Sequence, residues 1–177
     1  GEERHHPSRQ GFDVAHTGMG YFDVTFNPPR PESKDKIIAA RIADFGIDFM
    51  ERHRDEPFFL FLSHWDVHCL LDAEDELIRK YRRKETVPGY PCNPIYAAMI
   101  EHLDRSTGRV LDAIDELGLR RDTVVIFYSD NGGVVSENAY PAYAEPGRPD
   151  SRMNMILPSK RHYLEDSPLQ YIVTSNL

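Results

Sequence analysis

The sequence predicts an α/β fold with a mostly parallel central sheet flanked by helices, and three observations predict it. Two short, uninterrupted apolar runs, PFFLFLS at 57–63 and TVVIFYS at 123–129, have the composition of strands buried on both faces. Apolar residues at helical spacing precede the first run and fill the stretch between the two. The resulting order is helix, strand, helix, helix, strand, which suits parallel strands joined by helical crossovers.

Taken in chain order, residues 1–32 are punctuated by Gly, Pro and Asn, and little regular structure is expected there. Ser33 is the expected N-cap of a first helix whose Ile38, Ile42, Phe45 and Phe49 recur on one face. The strand 57–63 follows, then a short helix at about 73–84. Asn93 and Pro94 read as the N-cap and first-turn proline of a long helix with Tyr96, Met99, Leu103, Val110, Ile114 and Leu117 on one side. Gly118 is its expected stop, because glycine enters the left-handed conformation cheaply. The turn after it is short, so Met99, Leu103, Val110 and Ile114 are expected to pack on the strand 123–129. From 134 onward the periodicity dissolves among four prolines between Pro141 and Pro158. QYIVTSNL, at the end, is a candidate last strand.

A chain of 177 residues with 40% hydrophobic content suffices for one domain with a core. The net charge of -8, with no basic stripe, argues against a nucleic-acid partner. The densest basic run, 79–84, is interrupted by Tyr81 and is expected to be a solvated helix face. No apolar run approaches the ~20 residues of a membrane span, and GEERHH has no signal-peptide core. Cys69 and Cys92 are either one disulfide or, the favoured reading, two free thiols.

Both apolar runs end in residues that can do chemistry. The first leads into His64, Asp66 and His68, the second into Asp130 and Asn131. In open α/β sheets ligands bind beyond the carboxyl ends of the strands. Two parallel strands ending on one edge would bring His68, Asp130 and Asn131 together. Asp130 and Asn131 offer hard oxygen donors suited to Ca²⁺ or Mg²⁺, although Asn131-Gly132 is equally a common tight turn. His64 and His68 have the spacing of a helical zinc pair, but Trp65 stands where H-E-x-x-H needs Glu, and a structural histidine is the plainer reading.

These residues, in this order, resemble a known family. PFFLFLSHWDVH, then ELIRKYRRK, then YAAMIEHLDRSTGRVLDAIDELGLRRDTVVIFYSDNGG closely resembles the middle of a type I formylglycine-dependent sulfatase. The likeness covers about 11–133 and resumes at TSNL, 174–177. PSRQGFD resembles the P-T-R-Q-G-F-D phrase that follows K-x-W-H-x-G in that family. It does not match the Cys-x-Pro-Ser-Arg site where a cysteine becomes the formylglycine nucleophile, so His5 replaces nothing.

The resemblance implies an alkaline-phosphatase-like sandwich, incomplete in this chain, with 1–177 forming part of one sulfatase catalytic domain. It implies Asp130 and Asn131 as Ca²⁺ ligands, with Mg²⁺ possible, and His68 as the catalytic histidine at the sulfate group. The proline usual two residues after that histidine is Leu70 here, and His64 is not carried over. Formylglycine is expected upstream, so the chain as given is expected to be inactive alone. The expected partner is a sulfated small molecule or glycan, with no nucleic acid and no membrane span, in the periplasm, the lysosome or secretion. Residues 134–172 are expected to be a loop insertion. It is either a substrate-recognition loop, whose Tyr140, Tyr143 and Tyr163 would stack on sugar rings, or a disordered surface excursion. A phosphoesterase of the same superfamily and a non-catalytic binding protein keeping the fold are the alternatives.

Overall fold

The computed structural model describes residues 2–18, 26–28, 37–68, 71–85, 93–129 and 170–176. They fall into two compact units, one of Gly1–Trp65, Asp104–Phe127 and Leu169–Leu177, the other of Asp66–Leu103 and Tyr128–Pro168.

The first unit holds a three-stranded sheet. Its strands are β1 (Val14–Gly18), β2 (Phe58–Leu62) and β3 (Gln170–Asn176), in the order β1-β3-β2. The candidate last strand is therefore a strand, and it is the central one. It runs antiparallel to both neighbours, pairing Val14 with Thr174 and Leu62 with Ile172. This corrects the expectation of mostly parallel pairing: every ladder among the described residues is antiparallel. The parallel relation persists only between β1 and β2, one strand apart, because the chain returns at its end to lie between them.

Helix α1 (Ile38–His53) covers this sheet from one side. Its N-cap is Ile37, which makes no side-chain cap, so the expected cap at Ser33 is not the helix start; Ser33 lies outside the described residues. The predicted face is buried, with Ile38, Ile42, Phe45 and Phe49 among its members. Gly46 allows a close approach there: a Cβ at that position would sit 2.9 Å from Leu62 Cδ1. The Phe49 ring meets Phe58 edge-on at 5.6 Å. Phe58, Leu60 and Leu62 are half-buried, while Phe59 and Phe61 on the opposite face of β2 are exposed. The expectation that this strand is buried on both faces is thus met on one face only.

Helix α3 (Pro94–Glu116) begins in the second unit and ends in the first. Asn93 Oδ1 accepts from the amides of Ile95 at 2.9 Å and Tyr96 at 3.2 Å, the cap the sequence predicts. Gly118, at φ +73°, closes the other end. Its amide donates to the Asp115 carbonyl at 3.0 Å, and that of Leu119 donates to Ile114 at 2.9 Å, the paired bonds of a Schellman stop. In the first unit Ala113 and Ile114 form a core with Met50, flanked by Ile47, Phe58, Leu60, Val110, Leu117 and Leu119. The helix face expected to pack on 123–129 is occupied in this unit by α1 and β2 instead.

After the short 3-10 turn Arg120–Asp122, residues 123–129 belong to no strand among the described residues. Val124, Ile126 and Tyr128 are 86%, 82% and 82% exposed. The expected second buried strand is corrected accordingly: among the described residues neither a ladder partner nor a helix covers it.

In the second unit, α2 (Asp75–Arg82) buries Leu77 and Ile78. The first half of α3 buries Ile95, Ala98 and Met99. An ion pair joins these helices, Lys80 to Glu101 at 2.6 Å, and His102 Nε2 lies 2.8 Å from Glu74, the N-cap residue of α2. The basic residues of 79–84 are exposed, as their pattern predicts.

Candidate functional site

The site begins where β2 ends. Leu62 is the last ladder residue, and residues 63–68 leave the sheet without regular structure, all of them half-buried. This is the carboxyl end at which the sequence places His64, Asp66 and His68. His68 lies six residues beyond Leu62 in that segment.

The polar contacts are built around His64. Its Nε2 is 2.8 Å from Ser106 Oγ, and that hydroxyl donates to the Ala39 carbonyl of α1 at 2.7 Å. Ser106 is 1% exposed. Burial strips water from the imidazolium and pushes His64 from 6.5 down to about 4, with the Leu62 backbone pulling weakly the other way. The ring is therefore neutral near pH 7. Three residues along α3, Arg109 reaches the same helix, donating to the Ala40 carbonyl at 3.2 Å and to Asp44 at 2.5 Å.

Ser106 was not among the candidate residues of the sequence. A signal was present: it shares the helical face of Met99, Leu103, Val110 and Ala113, and a hydroxyl on an apolar face needs a buried partner.

Asp130 and Asn131 lie outside the described residues, as do Cys69, Leu70, Cys92 and the tyrosines of the expected insertion. The convergence of His68 with Asp130 and Asn131 thus falls outside them as well. Among the described residues no three His, Cys, Asp or Glu side chains are grouped to hold a metal ion. No helix among them is long and apolar enough to cross a membrane.

Comparison with known proteins places the chain. The steryl-sulfatase of Mus musculus is 38% identical over 103 residues, covering 56% of this chain and 14% of the relative. A protein named sulfatase from Formosa agariphila is 32% identical over 117 residues, 60% of this chain and 21% of the relative. The N-acetylgalactosamine-6-O-sulfatase of Bacteroides thetaiotaomicron is 31% identical over 113 residues, 59% of this chain and 18% of the relative. The aligned regions span between 14% and 21% of these relatives' lengths. They are sulfuric ester hydrolases, and their family carries an alkaline-phosphatase-like α/β fold. A family model for sulfatases matches residues 2–172, and on that match the chain belongs to the sulfatase family.

Proposed function

We propose that this chain forms part of a sulfatase catalytic domain that hydrolyses sulfate esters, with His68 at the sulfate group and Asp130 and Asn131 on a divalent cation. The observation that carries the reading is the family match over 2–172. The delivery of His68 from the carboxyl end of β2, where α/β sheets place ligands, supports it.

A carboxylate and a carboxamide oxygen suit Ca²⁺, or Mg²⁺, in kind. They do not suffice in number, since Ca²⁺ takes six to eight oxygens. Asp130 and Asn131 are one side of such a site, and the other donors come from elsewhere in the domain. When bound, the cation neutralises sulfate oxygens and orients the formylglycine nucleophile expected upstream. His68 contributes a ring N–H to a sulfate oxygen, or a proton to the departing alcohol. The chain is part of the alkaline-phosphatase-like α/β fold of the superfamily; of the expected insertion 134–172, residues 170–172 begin β3, and 134–169 are a loop insertion within that fold. The relatives' names join sulfatase to a steryl and to an N-acetylgalactosamine group, so the substrate class is a sulfated small molecule or glycan. An extracytoplasmic location follows the family.

Two assays test the proposal. The 177-residue chain, given an aryl sulfate and Ca²⁺, is expected to show no turnover above a denatured control; Ca²⁺-dependent turnover would sink the assignment of the nucleophile to other residues. Placed downstream of a Cys-x-Pro-Ser-Arg segment in a host that makes formylglycine, the sequence should support sulfate ester hydrolysis. His68→Ala should lower that rate by about 10²–10⁴-fold. Faster turnover of the matching phosphate monoester would favour a phosphoesterase instead.

A further inference from the structure

We propose that His64 and Ser106 are a positioning pair that anchors the segment carrying His68, an inference that rests on the sulfatase reading above for its functional consequence. The segment 63–68 leaves β2 with no ladder to hold it. Its root is held twice. Leu62 sits in the notch that Gly46 leaves in α1, where a Cβ would come within 2.9 Å of it. Two residues on, the His64 ring is tied to the buried Ser106 hydroxyl, which is tied in turn to the Ala39 carbonyl.

The Ser106 hydroxyl oxygen lies 2.7 Å from the Ala39 carbonyl and 2.8 Å from His64 Nε2, so it links the imidazole to α1. The Leu62 backbone holds the same ring by a second hydrogen bond. Two holds set the plane of the ring. Ser106 is 1% exposed, so the pair is closed to solvent and does not serve as a nucleophile and its base.

What the pair does is geometric. His68 is four residues beyond His64, and each residue spans at most about 3.3–3.6 Å. Anchoring His64 therefore fixes the root of the segment that leads to His68. A histidine meant to meet a sulfate oxygen gains from a fixed root, because misplacement by about 1 Å can cost about 10²-fold in rate.

The test uses the 177-residue chain and two readouts that do not need turnover. Ring ¹⁵N shifts of His64 should show one neutral tautomer near pH 7 that averages toward a mixture in Ser106→Ala; a ring that averages between tautomers in the parent chain overturns the proposal. Backbone hydrogen exchange of residues 65–68 should then rise about tenfold or more in Ser106→Ala and in His64→Leu, with α1 and β2 little changed. His64→Gln, whose carboxamide can hydrogen-bond Ser106 in place of the ring, should restore protection. Exchange at 65–68 that stays the same in both disruptive variants, or that rises by an equal factor throughout α1 and β2, overturns it. In an active sulfatase carrying this sequence, Ser106→Ala should lower kcat more than it raises KM, and His64→Gln should recover most of the loss. Absence of turnover in every variant would count against the sulfatase reading and leave the exchange result standing. Unchanged exchange would end the positioning role whether or not sulfate is released.

Discussion

The runs FFLFL and VVIFY, 58–62 and 124–128, are near equivalents in composition, and their fates differ. The first is β2, paired along its length with β3 and packed through Phe58, Leu60 and Leu62 under the helices. The second makes no ladder among the described residues, and its side chains face solvent. Both have high β propensity, so propensity does not decide between them. Strand preference is largely a measure of fit to a pleated, half-buried surface. Among the described residues, only the first run is offered that surface. β3 supplies its backbone partners, and Met50, Ile47, Val110 and Ile114 supply its cover.

The largest test of this contrast compares two isoleucines. Ile114 is 6% exposed in the core beside β2, and Ile126 is 82% exposed in the second run. Ile114→Ala should destabilise the fold by about 2–5 kcal/mol, through lost burial and the cavity left behind. Ile126→Ala should stay within about 0.5 kcal/mol. Urea midpoints of the two variants measure the difference, and equal losses would mean that the second run is buried in solution.

A middle-sized effect lies at the exit of β2, which is tied to the helices through His64. Burial pushes His64 down to about 4 in the fold, from 6.5 in the unfolded chain. Between those values the unfolded state binds more protons, so stability rises with pH there and is lost as pH falls from about 6.5 toward 4. A lowering of this size corresponds to about 3 kcal/mol at its full extent. His64→Gln, which cannot ionise, should match the parent at pH 7 and lose less stability than it by pH 4.5. Thermal unfolding across that range reads the gap, and parallel curves for the two proteins would show that His64 is not buried as a neutral ring.

The parts of the fold legible in the sequence were those set by local chemistry. The Asn93 cap and the Gly118 stop each depend on a few adjacent residues, and both stand as read. The apolar face of α1 followed from its period, although its start did not: Ile37, not Ser33, precedes the first turn. Strand pairing was illegible because it is a choice among distant partners, and nothing in QYIVTSN says that it will lie between β1 and β2. The same limit hid the exposure of 123–129. At the candidate site, the segment carrying His68 was legible from the strand that ends before it. Ser106 was not, since a helix pattern shows that a buried hydroxyl needs a partner without showing which residue will arrive, 42 positions away in sequence. Asp130 and Asn131 rest on the family motif alone.

The smallest expected effect on stability is also the one that sharpens the contrast most. Ile126→Lys places a charge at a position 82% exposed, and surface changes of this kind usually stay within about 0.5 kcal/mol. The melting temperature should barely move. Self-association should move more. Residues 124–128 are five consecutive apolar residues without proline, exposed and outside any ladder among the described residues. Such a segment is a template on which a second chain can pair, and lysine is a residue that natural sheets use to blunt exposed edges. Light scattering against concentration should therefore show the variant staying monodisperse at concentrations where the parent aggregates. Unchanged scattering would mean that the run does not drive association. A loss of stability approaching that of Ile114→Ala would go further. It would mean that VVIFY is covered in solution as FFLFL is, and that the difference between the two runs does not hold.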